Sequence, residues 1–408
     1  MRLSTSLIFS RGLNSVLNTQ QALSKVQDQL SAQTKILSPA DDPIGKAQVM
    51  ALDEKIGQND QFQRNSTTLE NNLKREESVL SNITTAIDRA RVLAIQAGNG
   101  TMSVEDRKAL ALELESLEDE VFDLMNSQDE SGEYIFAGFQ NRDESFIYNS
   151  AKQTYEYNGD DGQRLLQMSP SLKLAAGDPG SSVFTKVSDR ISVSRDAGST
   201  TSEAVFKVND RQGFIDQLDT LYDDATPANN YFNVEIQAGN QFQVTDSAGA
   251  VIAGPSAYTP GEPIRFAGSS FTFKEPPAAG ETLTVNFKEP VERNVATAIG
   301  DLARSLRNNG DDALKNWENE IGFALDDLSK GKDAVVSARA SVGARLNVMD
   351  NARNSNFDFQ IVNKDARSRI QDVDYATAIT ELTKQETVLQ ASQQVYVRIN
   401  RLSLFNFL

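Results

Sequence analysis

Near the start of the chain apolar residues recur at a spacing of seven: Val16, Leu23, Leu30 and Leu37. Their companion positions are Leu13, Gln20, Gln27 and Thr34, which makes the seam partly polar. A helix with such a stripe cannot bury it alone and needs a partner, as in a coiled coil. Ser38-Pro39-Ala40-Asp41-Asp42-Pro43 then breaks the helix, because each proline disfavours the helical state of the residue before it. A second helical pattern covers residues 66–97. There Leu69, Leu73, Leu80, Ile83, Ile87, Ala90, Ala94 and Ala97 follow steps of three and four, with Glu76 the polar member of the stripe. Gly98-Asn99-Gly100 ends it, and Ser103 with Asp106 reads as a capping box that opens a third helix. Leu110, Leu114, Leu117, Val121 and Leu124 line that helix.

At Gly132 the period changes to two. Tyr134/Phe136, Phe146/Tyr148 and Tyr155/Tyr157 alternate, with Asn141-Arg142-Asp143 and Asn149-Ser150 as turns, so a β-meander is predicted. Strand-like composition continues to Pro290, clearest at 242–249 and Phe271-Thr272-Phe273. One short helix is predicted at 210–222, where Phe214, Leu218 and Leu221 share a face. Helical spacing returns with Leu314, Trp317, Ile321, Leu328, Val335, Ala338, Val342 and Met349. The final stretch places Tyr375, Leu382, Leu389 and Tyr396 seven apart, flanked by Val388, Val395, Ile399 and Leu402.

The order of helices, strands and helices predicts an α+β protein. Both chain ends would form a long antiparallel coiled-coil rod, with an antiparallel β domain inserted as a knob at the distal end. The expected parts are terminal helices (1–40 with 366–408), a helical rod (41–140 with 290–365) and a β-rich insertion (141–289). A break near 185 would divide the insertion in two.

Composition narrows the chemistry. The 408 residues include no Cys and no His, so thiolate nucleophiles, disulfides, Cys or His metal ligands and His-dependent triads are absent. The net charge of −17 argues against nucleic-acid binding, which draws on clustered Lys and Arg. No stretch is long and apolar enough to span a membrane, and residues 1–11 do not form a signal-peptide core. Charge is unevenly placed. Residues 1–40 sum to +3 and residues 366–408 to +1, which leaves −21 between them. Nearly neutral ends are expected to pack against neighbours, and the middle to face water.

Candidate chemistry is sparse. Gly331-Lys332 and Gly45-Lys46 lack the glycine a phosphate loop requires, and no nucleophile elbow is present. No enzymatic function, catalytic residue, cofactor or metal site is predicted. Glu115, Asp119 and Asp123 stack along one helix within the acidic run 113–133 and read as a solvated face, with a cation the sharper alternative. Gly159-Asp160-Asp161-Gly162 reads as a hairpin turn. Asn65-Ser66-Thr67 and Asn82-Ile83-Thr84 match a glycosylation pattern, but both fall at or within a predicted helix. The candidate site is an assembly interface: Val16, Leu23, Leu30, Leu37, Tyr375, Leu382, Leu389, Tyr396, Ile399, Leu404, Phe405, Phe407 and Leu408. The run Leu404-Phe405-Asn406-Phe407-Leu408 would be an exposed apolar patch on a monomer.

Three segments carry a resemblance: residues 38–43, Arg339-Ala340-Ser341-Val342-Gly343-Ala344-Arg345-Leu346-Asn347, and Ser368-Arg369-Ile370-Gln371-Asp372-Val373-Asp374-Tyr375-Ala376-Thr377. They resemble the flagellin superfamily over about residues 1–140 and 290–408. The first five residues and the run 402–408 resemble its hook–filament junction branch. Gly132-Glu133-Tyr134-Ile135-Phe136-Ala137-Gly138 is similar to the point where that branch enters its first hairpin. The resemblance implies a flagellar structural subunit exported unfolded through the type III apparatus. It implies a ring of identical subunits between the first hook-associated junction protein and flagellin, with an export chaperone on about 366–408. Val16, Leu23 and Leu30 would pack with Leu382, Leu389 and Tyr396 and with adjacent subunits. The alternatives are flagellin itself, the bulk filament subunit, and a secreted adhesin or carbohydrate-binding module on a helical stalk.

Overall fold

The computed structural model describes residues 5–187, 193–288, 293–308 and 317–405. The chain forms two compact units. One comprises residues 1–67, 167–172 and 350–408, the other residues 68–166 and 173–349.

In the first unit, helix α1 (Thr5–Ala32) runs against α8 (Tyr375–Phe405). The helix stops before Thr34 and Leu37, which the sequence pattern had included. Gln33 adopts the left-handed conformation (φ 58°), and Thr34 forms an antiparallel bridge to Asp372. Helix α2 spans Pro43–Ala97 and helix α7 spans Trp317–Gln371. Helix α2 begins at the predicted proline break. Pro43 takes the first position, where its missing N–H costs nothing, and Asp42 Oδ1 accepts the Gly45 N–H at 2.8 Å. The sequence pattern starts this helix near residue 66. Its earlier turns bury a narrow apolar stripe, Val49, Ile56 and Phe62, with Gly45 and Asn59 beside it. Opposite them, Arg353 O accepts from Gln63 Nε2 at 3.1 Å and Arg367 pairs with Asp53 at 3.0 Å, so this part of α7 runs antiparallel to α2.

In the second unit the buried stripe of α2 widens to adjacent pairs, Val79/Leu80, Ala86/Ile87 and Leu93/Ala94, because more helices surround it. Helix α3 (Val104–Met125) packs on α6 (Val295–Asn308), with Arg89–Glu113, Arg307–Glu115 and Lys332–Asp88 linking α2, α3, α6 and α7. The Ser103–Asp106 capping box forms, with Ser103 Oγ accepting the Asp106 N–H at 3.1 Å. The inward face of α3 is rotated from the predicted leucine stripe. It buries Arg107, Ala111, Leu114, Glu118, Val121 and Met125, two of them charged, and leaves Leu112 exposed. Helix α7 keeps the predicted register, burying Ile321, Leu328, Val335, Val342 and Met349 at steps of seven. Leu314 lies outside the described residues.

The β region is antiparallel throughout, in two parts. Strands β1 (Phe146–Asn149) and β2 (Thr154–Tyr157) form the predicted hairpin, with Phe146 opposite Tyr157. Tyr134 and Phe136 are not in a strand. Gly132 and Gly138 have positive φ and interrupt a ladder, Tyr134 makes one isolated bridge to Gln128, and Phe136 is buried edge-on against Phe184 at 4.9 Å. Gly138 requires glycine doubly, since an added Cβ would lie 2.2 Å from Asp160 O. Residues 159–162 do not turn a hairpin. They connect β2 to a separate pair, β3 (Leu165–Gln167) with β4 (Lys173–Ala175), which leads to the short α4 (Gly180–Phe184).

The second part contains β5 (Val193–Arg195), β6 (Ala204–Val208), the predicted helix α5 (Arg211–Leu221) and β7 (Tyr231–Gln237). It continues through β8 (Gln241–Asp246), β9 (Val251–Ala257), β10 (Ile264–Phe266), β11 (Ser269–Phe273) and β12 (Thr282–Phe287). One sheet has the order β5-β12-β7-β8-β9 and the other β10-β11-β6. Strand β7 alternates perfectly, sending Phe232, Val234 and Ile236 inward. Phe232 lies 5.4 Å from Phe266 and 6.2 Å from Phe271, so one core joins the two sheets, with Phe214 and Leu218 of α5 in it.

Candidate assembly interface of the terminal helices

The pairing of α1 with α8 follows from complementary steps of three and four. The partly or fully buried positions of α1 include Gly12, Val16, Thr19, Leu23, Val26 and Leu30, with Ala22 and Gln29 beside them; those of α8 include Ala378, Leu382, Gln385, Leu389, Ser392 and Tyr396, with Glu381 beside them. The helices are antiparallel. Tyr396 lies over Gly12, where an added Cβ would sit 3.2 Å from the ring, and the opposite end of the pair is held by Thr34 and Asp372. Each set is a heptad seam in which small or polar residues alternate with large apolar ones. Only Val26 and Ala378 in it are buried outright, so the pair contributes little apolar burial of its own.

One of the segments that carry the family resemblance, 368–377, lies at this joint, and residues 38–43 follow it closely on the α1 side. Thr34 Oγ1 and the Lys35 N–H both donate to Gln371 O, at 3.0 and 2.8 Å, and the Val373 N–H donates to Gln33 O at 3.3 Å. Asp374 starts α8, accepting from the Ala376 N–H at 3.0 Å and the Thr377 hydroxyl at 2.7 Å. Those bonds, the hydroxyl first, hold its carboxyl below the usual range. On the α1 side, Lys25 pairs with Asp41, which also accepts from Ser38 N and Oγ. The lysine and the serine hold the Asp41 carboxyl down to about 2.

Beside each seam runs a second apolar stripe that faces outward. On α1 it includes Leu13 and Leu17, one residue after Gly12 and Val16; on α8 it includes Val388 and Val395, one residue before Leu389 and Tyr396. Val395 is 55% exposed and Ile379 53%. The same unit exposes Phe357, Phe359, Ile361 and Val362 on α7. Exposed apolar side chains grouped on a surface mark interaction sites.

Val16, Leu23, Leu30, Leu382, Leu389 and Tyr396 are all partly buried on the paired helices. Leu37 lies beyond α1 and is exposed, and Tyr375 is in seam register but exposed at the first turn of α8. Ile399, Leu404 and Phe405 belong to α8, while Phe407 and Leu408 lie outside the described residues. Sequence reasoning missed Gly12, Thr19, Val26, Ala378, Gln385 and Ser392. It paired Val16 with Leu13 and Gln20, one step around the helix from the true partners. The signal was present in the alternation of four and three, but Gly, Thr, Gln and Ser do not announce a core.

The charged clusters serve packing. Glu113 and Glu115 pair with Arg89 and Arg307, and Glu118 is buried beside Tyr155, whose hydroxyl donates to it at 3.1 Å. Burial pushes the Glu118 carboxyl up against the opposing pull of the Arg304 charge, and burial together with Glu118 pushes the Tyr155 phenol up. Asp327 on α7 is fully buried between Arg293 and Arg211, and Arg293 also pairs with Asp301. Among the described residues no cluster of three or more metal-ligating side chains is present.

Comparison with known families matches residues 3–141 to the bacterial flagellin N-terminal helical region and residues 326–408 to the bacterial flagellin C-terminal helical region. Flagellar hook-associated protein 3 of Escherichia coli is 26% identical over 405 residues, covering 99% of both chains. Flagellar hook-associated protein 3 of Salmonella typhimurium is 31% identical over 210 residues, 52% of this chain and 65% of that one. The crystal structure of FlgL from Xanthomonas campestris superposes with a TM-score of 0.58 at 25% identity, over 78% of this chain and 99% of that one.

Proposed function

This chain belongs to the flagellin family, and from that premise we propose that it is a non-enzymatic structural subunit placed at the hook–filament junction of the bacterial flagellum. The observation that carries the reading is the double stripe on the terminal helices. The seam between α1 and α8 is satisfied within the chain, while Leu13, Leu17, Val388 and Val395 remain for neighbours. Identical subunits in a ring would cover those stripes, with the first hook-associated protein on one side and flagellin on the other. The full-length match to a hook-associated protein favours this position over that of bulk filament subunit.

Mechanistically, assembly orders the ends. Thin seams with Gly, Thr, Gln and Ser supply too little burial to offset the entropy of two long helices in isolation. A growing structure that offers a partner for the second stripe tips that balance. The segment 366–408 is the docking site for an export chaperone, and export proceeds with the chain unfolded through the type III apparatus. The three-part division into terminal helices (1–40 with 366–408), helical shaft (41–140 with 290–365) and β insertion (141–289) assigns assembly to the first part.

Deletion of the gene followed by electron microscopy tests the placement. Bare hooks with filament protein shed into the medium are expected. Loss of the filament protein itself would indicate the bulk subunit instead, and normal filaments would overturn both.

A further inference from the structure

Glu76 stands in the apolar stripe of α2, in the second unit, and is 2% exposed. Its Oε1 accepts the Asp178 N–H at 3.2 Å, while Oε2 is buried with no hydrogen-bond partner among the described residues. Arg345 of α7 pairs with the Asp178 carboxylate and donates to Ala175 O at 3.2 Å. One guanidinium therefore faces two carboxyl groups. The other charged groups around this small cavity are engaged. Arg75 of α2 pairs with Glu130 at 2.8 Å, Arg164 pairs with Glu133 at 3.1 Å, and Asp129 accepts from the Ser131 and Glu133 N–H groups. Asn72 and Tyr134 complete the polar lining, and Asp129 adds negative charge rather than relief.

We propose that Glu76, Asp178 and Arg345 form a proton-operated latch that pins residues 173–180 to α2 while Glu76 carries a proton, and loosens when that proton leaves. With the proton bound the cluster is neutral. Without it, a net negative charge sits on a group that is 2% exposed, which is costly to hold. The pinned segment is otherwise tied by the pairing of β4 with β3, by Gln163 Nε2 donating to Asp178 at 2.9 Å, and by the Ala176 N–H to Arg164 O and the Gly180 N–H to Phe136 O. Burial first, and the Asp178 charge second, push the Glu76 carboxyl up to about 8 from an ordinary 4.5. The folded chain then binds this proton more tightly than the unfolded chain. Stability from this group is complete below about pH 4.5 and is lost as pH rises toward 8.

The test compares Glu76→Gln with the full wild-type chain by denaturant unfolding at pH 4 to 9. Glutamine keeps the shape and cannot ionise. The wild-type unfolding constant is expected to rise relative to the variant by roughly tenfold per pH unit between about 5 and 8, and to be level below 4.5. A ratio independent of pH would overturn the latch. A second reading needs no variant. Carboxyl ¹³C titration of wild-type Glu76 should show a midpoint near 8, and a midpoint near 4.5 would overturn the proposal. Amides of 173–180 should open above pH 8 in wild type, beyond the base-catalysed rate, and not in Glu76→Gln; equal opening in both would also overturn it.

Discussion

At the scale of single residues, the second unit encloses one carboxylate between two cations. Asp327 is fully enclosed, with Arg293 on one side and Arg211 on the other. Removing the carboxylate would leave two guanidinium groups, one of them 2% exposed, without their main anion. Asp327→Ala is expected to cost about 3–5 kcal/mol in denaturant unfolding, the range for breaking a buried pair. The exposed pair Lys74–Glu70 should matter far less, with Lys74→Ala costing under about 1 kcal/mol in the same measurement. Neither difference is readable in the sequence, where Asp327 is one acid among 57 and its arginines lie 34 and 116 positions earlier. What can be read is the anomaly of Glu76, a charge inside an otherwise apolar stripe. The structure explains it by Asp178 and Arg345, which arrive from distant parts of the chain.

At the scale of elements, spacing alone located the long helices, and it located α5 and the β1–β2 hairpin as well. It failed where the buried face is not apolar. Helix α3 turns Arg107 and Glu118 inward, and α1 uses Gly12 and Thr19, because neighbours with matching shape or charge make those positions cheap to bury. The two stripes of α8 can be separated by experiment. Replacing Val388 and Val395 together by Asn should leave the monomer's far-UV circular dichroism unchanged. The concentration needed for self-assembly or joining to hook structures should rise roughly tenfold or more, measured by sedimentation, since two exposed valines lose their burial in the assembly. Assembly at the wild-type concentration would instead place these residues outside the contacts between subunits.

At the scale of the whole molecule, stability is unevenly distributed. The second unit holds the fully buried leucines and isoleucines of α2 and the aromatic core of the two sheets, whereas the α1–α8 seam buries just Val26 and Ala378 among its hydrophobic positions, and neither fully. Local opening free energy follows buried apolar contact, so hydrogen exchange of the full-length monomer should show slow amides across 79–97 and 231–237. Residues 7–32 and 376–398 should exchange much faster and gain protection on assembly. Strong protection of both terminal helices in the monomer would contradict assembly-coupled ordering.

The sequence by itself determined the α+β order, the break at Pro39 and Pro43, the neutral ends around an acidic middle, and the absence of thiol and imidazole chemistry. These are properties of local spacing, of proline and of composition, and none requires knowing what touches what. Only the tertiary structure decided which face of α1 meets α8, that Tyr134 and Phe136 leave the ladder, and that a single arginine serves both Asp178 and Glu76. Each of those depends on residues that the chain brings together from far apart. There the energy of a contact is set by the partner's shape and charge, which periodicity does not encode.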